Sequence, residues 1–283
     1  MNNNQLVLYN TSFTNLNFEN YKILHTNNLK LANDAKEKGL FVNLNNKWDW
    51  DNKKNNDEYE PFMITYIKNL SRLQNYYNIN KVFNNTLRIY EAYDSVKCYQ
   101  YYREYAQVNN YVTKNFINFS DETNGKLGCN LSHQKILENI KDNNYFGKEW
   151  FLIMEDDVTV DSDFPSFISN ILKEVKNKNI NTNYIQLWLN ESFKNKQLNQ
   201  KNHIIGNMYH MIFQWGAVCF LISKKGIEYI LDNFPLDSYI DIFYSRNINN
   251  LKSIYYLNDK VKTDGAYDGD DKTSKLGSII WNI

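Results

Sequence analysis

The chain alternates short apolar runs with longer segments of helical periodicity, and this alternation restricts its fold more than any other feature. The apolar runs predict buried strands at 62–67, 87–90, 150–154, 184–188 and 217–222. Apolar side chains recurring at helical spacing predict helices over 70–77, 127–140, 164–176 and 224–234. Strands that alternate with helices favour a mostly parallel sheet covered on both faces, so the predicted class is α/β.

Three adjacent acids, Glu155, Asp156 and Asp157, directly follow the apolar run 150–154. In such sheets ligands bind beyond the carboxyl ends of the strands, which is where these acids are expected. Their carboxylates repel one another, and Mg²⁺ or Mn²⁺, which take oxygen ligands and share them with substrate phosphates, would relieve the repulsion. Alternate strand residues share a face, so Glu155 and Asp157 are candidate metal ligands. The three acids alone are equally compatible with a cap on the next segment or a solvated turn.

Charge and cysteine content exclude several classes of protein. Lys plus Arg and Asp plus Glu number 32 each, and no basic stripe with interleaved aromatics is present, so neither nucleic acid nor a membrane is an expected partner. The 3 cysteines are far apart, which argues against a disulfide framework and a cysteine-based zinc site; Cys129 is interpreted as a packing residue. No secretory signal or membrane-spanning stretch is visible. A cytoplasmic protein is therefore expected, with a viral protein in a host-cell compartment as the alternative.

The first 58 residues differ from the rest of the chain. They are rich in Asn, Lys and Asp and carry only short apolar pieces, whereas the regular alternation begins after Pro61. We therefore predict an N-terminal extension over 1–58, whose fold is left open, and a single catalytic domain over 59–283.

Two motifs in the middle of the chain carry a family resemblance. Segment 125–133 reads GKLGCNLSH and segment 151–158 reads FLIMEDDV. A G-x-x-G-C-x-x-S-H helix followed by a hydrophobic strand that ends in E-D-D is the pattern of glycosyltransferase family 25, which the chain resembles. That family includes lipopolysaccharide glycosyltransferases and the collagen hydroxylysine galactosyltransferases.

Other segments resemble the family in its own order along the chain. They are ITYIKNLSR at 64–72, RIYEAYD at 88–94, WGAVCFLISKKG at 215–226 and PLDSYID at 235–241. Lys68 and Tyr93 depart from the family pattern, and the usual arginines after 64–72 are missing. Near the end, DGAYDGD at 264–270 and SIIWN at 278–282 are similar to the tail of the collagen galactosyltransferases.

The resemblance implies a GT-A type, Rossmann-like fold, a UDP-sugar donor, and Mn²⁺ or Mg²⁺ as cofactor. It also implies inversion at the anomeric carbon, which needs a carboxylate base; the pattern supplies Asp241, with Asp237 as the alternative base or as a helix N-cap. Asp270 would join Glu155 and Asp157 at the metal, or else belong to an exposed acidic tail. The implied donor-binding residues are Asn69, Arg72, Asp94, Ser132, His133 and Asp156.

The leading hypothesis is an inverting transfer of galactose or glucose from a UDP-sugar to a hydroxyl acceptor, with hydroxylysine of a collagen-like protein as one acceptor. A second hypothesis keeps the reaction and changes the acceptor to a lipopolysaccharide or surface glycan. A third is an inactive, transferase-derived binding or scaffold protein. The retained E-D-D acids favour the two enzyme hypotheses, while the oligomeric state is left open.

Overall fold

A computed structural model describes residues 5–9, 22–26, 41–44, 47–48, 58–67, 69–95, 99–119, 125–190, 194, 196–213 and 216–263. The chain forms two compact units, Met1–Trp50 and Asp51–Ile283.

The first unit contains a small parallel sheet. Its strands are β1 (Gln5–Tyr9), β2 (Lys22–Thr26) and β3 (Phe41–Leu44), followed by the short β4 (Lys47–Trp48). The strand order is β2-β1-β3, and both outer strands pair with β1 in parallel. Parallel neighbours require a crossover connection each time the chain returns to the sheet.

The second unit contains the remaining strands and all the described helices. The strands are β5 (Glu60–Thr65), β6 (Arg88–Glu91), β7 (Trp150–Glu155), β8 (Val158–Val160), β9 (Tyr184–Gln186), β10 (His203–Ile205), β11 (Met208–His210), β12 (Cys219–Ser223), β13 (Ile254–Tyr256) and β14 (Val261–Thr263). The helices are α1 (Leu70–Val82), α2 (Tyr99–Val108), α3 (Lys114–Phe119), α4 (Lys126–Asp142), α5 (Phe164–Asn177), α6 (Lys224–Asp232), α7 (Ile240–Arg246) and α8 (Ile248–Leu251).

The main sheet of this unit has the order β10-β11-β13-β9-β12-β7-β5-β6, and β14 pairs with β8 separately. β5 lies between β6 and β7 and is parallel to both, so these three strands end at the same edge. β12 runs antiparallel between β7 and β9, and β9 is parallel to β13. The predicted α/β class, a Rossmann-like sheet flanked by helices, is confirmed, and the sheet is mixed rather than uniformly parallel.

The predicted strands are confirmed because the sheet buries their apolar runs. β7 is the central case: Ile153 lies opposite Phe62 of β5 on one side and Phe220 of β12 on the other, and all three are fully buried. A strand paired on both sides and covered on both faces reads as a continuous apolar run. The three acids begin at Glu155, the last residue of β7, where the apolar run ends.

The predicted helices are also present, and side chains cap two of them, α1 and α6. Asn69 begins α1, and its side chain accepts hydrogen bonds from the amides of Ser71 and Arg72. α1 continues to Val82, beyond the predicted end at residue 77. Within the described ranges, no helix combines the length and apolarity needed to cross a bilayer.

Candidate active site

A pocket lies at the edge where β5, β6 and β7 end. It contains about 510 Å³ of empty space, part of it open to solvent. Its walls come from β5, α1, the loop after β6, α4 and the turn after β7. The lining residues are Ile64, Arg72, Ala92, Tyr93, Gly125, Cys129, Ser132, His133, Glu155, Asp156 and Asp157.

The two glycines at the start of α4 let this helix approach the loop after β6. Gly125 is the N-cap residue and has a left-handed backbone with φ of 63°. At Gly128, a Cβ would lie 2.1 Å from the carbonyl oxygen of Tyr93, so only glycine fits between helix and loop. The Gly128 amide donates to Ser95 Oγ over 2.9 Å. The G-x-x-G spacing thus has a packing reason that the sequence did not reveal.

Ser132 fixes the same loop from the next turn of α4. Its hydroxyl donates to the Gly128 carbonyl over 2.7 Å and accepts from the Tyr93 amide over 2.9 Å. Asp94 accepts a hydrogen bond from the Tyr66 hydroxyl over 2.5 Å. Two of the predicted donor-binding residues, Ser132 and Asp94, therefore hold this wall in place.

Asp156 connects the end of β7 to the end of β5 and to α1. One carboxylate oxygen pairs with the Arg72 guanidinium, and the other accepts from the Tyr66 amide over 2.6 Å. Burial raises the pKa of Asp156 to about 6, although the charge of Arg72 opposes the shift. The predicted donor-binding residues Arg72 and Asp156 thus lie in the pocket as a buried ion pair. Asn69 caps α1 beside them and is not among the lining residues.

Asp157 is buried in the pocket wall, and its Oδ1 atom has no hydrogen-bond partner among the residues that the structure describes. Burial and the negative charges of Glu155 and Asp156 raise the pKa of Asp157 to about 7. A buried carboxylate with an unsatisfied oxygen is costly unless a cation or donor completes it. Glu155 and Asp157, the two candidate metal ligands, both line the pocket.

Glu155 faces the α4 wall of the pocket. His133 Nε2 lies 3.0 Å from Glu155 Oε1, and Cys129 Sγ lies 4.0 Å from the same oxygen. The ligand atoms of these three residues all lie within 4.8 Å of one another, which makes them a candidate metal-binding triad. Cys129, interpreted from sequence as a packing residue, is therefore part of the site. The i, i+4 spacing of Cys129 and His133 within the motif was the available signal.

Asp241 lies in the first turn of α7 and belongs to the same electrostatic cluster. Burial raises its pKa, backbone hydrogen bonds from Gly216 and Ile242 oppose the rise, and the charge of Glu155 adds to it. Its position depends on Asn130, a buried α4 residue that sequence analysis did not select. Asn130 accepts from the Ile240 amide over 2.8 Å and donates to the Ser238 carbonyl over 3.1 Å.

Asp237 lies apart from this cluster. Its side chain is exposed and forms an ion pair of 3.2 Å with Arg246. The interpretation of Asp237 as a helix N-cap is wrong, because α7 begins after Tyr239 and has no side-chain cap. Asp270 lies outside the described residues.

The tyrosine hydroxyl of Tyr244 is a further part of the cluster that sequence analysis missed. Within the described ranges it is buried without a hydrogen-bond partner, and burial, then the neighbouring Cys129, Asp241 and Glu155, raise the pKa of this phenol. The sequence offers no signal for it, because aromatic residues are common in this chain and most of those that the structure describes are buried.

The fold and pocket together define a class: an α/β domain with an acidic pocket beyond the carboxyl ends of parallel strands, which is where ligands bind in such sheets. The family model described as "Glycosyltransferase family 25 (LPS biosynthesis protein)" matches residues 62–243, and the chain belongs to this family. The predicted family is therefore confirmed.

One curated relative is the "Procollagen galactosyltransferase 1" of Danio rerio, with 22% identity over 134 residues. The match covers 44% of this chain and 21% of the relative, so the chain spans about a fifth of that protein.

Proposed function

We propose that this protein is an inverting glycosyltransferase that moves galactose or glucose from a UDP-sugar to a hydroxyl acceptor. The observation that carries the proposal is the buried Oδ1 of Asp157 in the acidic turn at the end of β7, which has no hydrogen-bond partner in the described part of the chain. A diphosphate brought to this edge would meet a carboxylate cluster that can accept it only with a cation between them. Membership of family 25 supplies the reaction class.

The donor set of the pocket suits a hard divalent cation. Glu155 and Asp157 offer carboxylate oxygens, the ligand type that Mn²⁺ and Mg²⁺ prefer. Burial, and then the negative charges of Glu155 and Asp156, raise the pKa of Asp157, and a bound cation would offset both effects. We propose these two residues as ligands, with Asp270 as a third from the C-terminal segment. When bound, the cation would neutralise the diphosphate and stabilise the departing nucleoside diphosphate.

Asp241 is the proposed general base. An inverting transfer is a single displacement, and the acceptor hydroxyl must give its proton to a group on the side opposite the leaving diphosphate. Burial and the nearby charge of Glu155 raise the pKa of Asp241, which makes it a stronger base than an exposed carboxylate. Asp237 is the second candidate, but its ion pair with Arg246 at the surface disfavours it.

The remaining predicted donor residues are proposed to act mainly by shaping the pocket. Ser132 and Asp94 hold the loop after β6, and Arg72 with Asp156 joins α1 to the acid-bearing turn. His133 orients Glu155. Direct contact with the UDP-sugar is then expected from the backbone of the loop at 92–95 and from the acids.

Two classes of acceptor are proposed, and the first is preferred to the second. Hydroxylysine of a collagen-like protein is first, because the curated relative is named a procollagen galactosyltransferase. A lipopolysaccharide or surface glycan is second, because the family model is described as an LPS biosynthesis protein. The transferase domain is proposed to span 59–283, with 1–58 as an extension.

The test is UDP release from a panel of UDP-sugars, measured with Mn²⁺ and with EDTA. We expect release from one sugar, dependent on Mn²⁺, that Asp157→Asn abolishes. Asp161→Asn is the matched control, because this exposed carboxylate pairs with Lys260 away from the pocket. Release that persists in Asp157→Asn would contradict the proposed ligand, and no release or UDP binding with any donor would favour the inactive scaffold.

The acceptor is tested separately, with the active donor. A Gly-X-Y peptide that carries hydroxylysine and a lipooligosaccharide are offered in parallel, and the transferred sugar is detected by mass spectrometry. Transfer to the peptide supports the first class of acceptor, and transfer to the lipooligosaccharide alone overturns it in favour of the second.

A further inference from the structure

The α4 wall of the pocket carries a sulfur and a nitrogen beside the acids. Cys129 and His133 are one helical turn apart, so their side chains leave the same face of α4. His133 Nε2 lies 3.0 Å and Cys129 Sγ 4.0 Å from Glu155 Oε1. A thiol, an imidazole and a carboxylate form a softer set of ligands than the all-oxygen sets that suit Mg²⁺ and Mn²⁺.

The separations of these atoms suit one tetrahedral ion. Zn²⁺ bonds to sulfur, nitrogen and oxygen at lengths that place neighbouring ligand atoms about 3.4–3.6 Å apart. The nitrogen–oxygen and sulfur–oxygen separations of 3.0 Å and 4.0 Å lie on either side of that range. Side-chain shifts of about half an ångström would bring them to it. His133 is well oriented for this, because it is buried and stacks on Phe220 with ring centroids 6.0 Å apart.

Asp157 supplies an independent indication of a ligand. Its Oδ1 is buried and has no hydrogen-bond partner among the described residues, and Asp157 lines the same pocket. The charge of Asp157 also acts on the Cys129 thiol. Asp157 therefore adds a negative charge that would balance a cation bound beside it.

We propose that Cys129, His133 and Glu155 bind a thiophilic divalent cation, Zn²⁺ or Co²⁺. This site shares Glu155 with the Mn²⁺ or Mg²⁺ site of the proposed function, so the two cations exclude each other. Zn²⁺ generally binds mixed ligand sets more tightly than Mn²⁺. The sequence argument against a cysteine-based zinc site rested on the separation of the three cysteines along the chain, whereas the proposed site needs only one of them. The inference concerns the proposed donor pocket but requires no transferase activity.

The test is a titration of the metal-free full chain, without an affinity tag, with Co²⁺. A thiolate ligand gives a thiolate-to-cobalt charge-transfer band, and tetrahedral coordination gives intense visible bands. We expect both in the wild-type protein, and loss of both when Zn²⁺ is added. Cys129→Ser should lose the charge-transfer band and bind Co²⁺ at least about 10-fold more weakly, since even outer-shell partners contribute that much to affinity.

Cys219→Ala is the matched control, because Cys219 is buried in β12 and is not in the triad; it should keep both bands. His133→Gln should keep the charge-transfer band but shift the visible bands. No charge-transfer band in the folded wild type, or an unchanged band in Cys129→Ser, overturns the proposal. The UDP-release assay is read separately. Cobalt bands without UDP release support this metal site and contradict the proposed function. UDP release without the cobalt bands supports the proposed function and contradicts this metal site.

Discussion

Burial and the carboxylates of Glu155 and Asp156 raise the pKa of Asp157 to about 7, from an ordinary value of 3.8. The folded metal-free protein therefore holds this proton more tightly than the unfolded chain. The stabilisation of the folded state by this bound proton is fully present below pH 3.8 and is lost as the pH rises through about 7. We therefore expect this group to make the metal-free protein less stable towards neutral pH.

Asp157→Asn should remove that penalty. In EDTA, we expect the variant to be more stable than the wild type at pH 8, by on the order of 2 kcal/mol, and to show little difference at pH 4. Thermal unfolding at the two pH values measures it, with Asp161→Asn as the control. A difference that is the same at both pH values would rule out titration of Asp157 as its cause.

Asp241→Asn tests the proposed base. Loss of the proton acceptor should lower kcat by about 10²–10⁴-fold, with the KM for the UDP-sugar nearly unchanged, because the amide keeps the shape of the carboxylate. Asp237→Asn should leave kcat near the wild-type value, since Asp237 pairs with Arg246 at the surface. Steady-state kinetics in which Asp237→Asn lowers kcat and Asp241→Asn does not would identify Asp237 as the base instead.

At the residue scale, the sequence predicted which side chains gather at the pocket better than what each one contacts. Arg72 and Asp156 were both selected as donor-binding residues, yet they pair with each other. Asn69 was selected as well, and it caps α1. A partner distant along the chain decides the Arg72–Asp156 contact, and a motif names the residue types without their partners. The cap by Asn69 is local and lies at the start of a predicted helix.

α4 links the two halves of the proposed site. It bears Cys129 and His133 on one side, and through Asn130 it holds the segment that leads into α7 and Asp241. Asn130→Ala should leave the Ile240 amide and the Ser238 carbonyl without their partner, at a cost of roughly 2 kcal/mol. It should also reduce kcat, because Asp241 is no longer fixed.

Asn139→Ala is the matched control for Asn130 on the same helix. Asn139 is also buried, but it bonds to Lys135 and Tyr90 away from the pocket. Its loss should lower the unfolding temperature without a matching fall in kcat. Equal kinetic effects from both variants would show that Asn130 acts through stability alone.

Gly128→Ala should separate α4 from the loop after β6. The added Cβ would lie 2.1 Å from a backbone oxygen of Tyr93, and backbone cannot yield as a flexible side chain does. We expect destabilisation of about 1–3 kcal/mol and weaker UDP binding. Gly147→Ala is the comparison, because its Cβ would meet nothing within 4 Å, although its φ of 69° still causes strain. Unchanged UDP binding in Gly128→Ala would show that this close approach does not shape the pocket.

At the element scale, the strands and helices with the longest apolar runs or stripes were predicted, whereas the helices α2 and α3 and the short buried strand β13 were missed. The direction of β12 was not readable, because an apolar run is the same in parallel and antiparallel pairing, and neighbours distant along the chain decide it. The hairpin β10–β11 was missed, since its strands are short and largely exposed. The turn after β7 was placed correctly because three acids interrupt the core run.

Over the whole molecule, the family match at 62–243 begins within β5 and ends in α7, so it contains the pocket acids and Asp241. These are the parts that the E-D-D motif and the segment PLDSYID at 235–241 predicted. The parallel sheet of the first unit was not predicted, because its strands lie in a polar, Asn-rich region where short apolar pieces give a weak signal.

Calorimetric titration of UDP into the full chain, with Mn²⁺ and with EDTA, measures donor binding at the acids directly. We expect binding that requires Mn²⁺, that survives in Asp161→Asn and that is lost in Asp157→Asn. UDP binding of equal strength in EDTA, or in Asp157→Asn with Mn²⁺, would contradict a metal-dependent donor site at the end of β7.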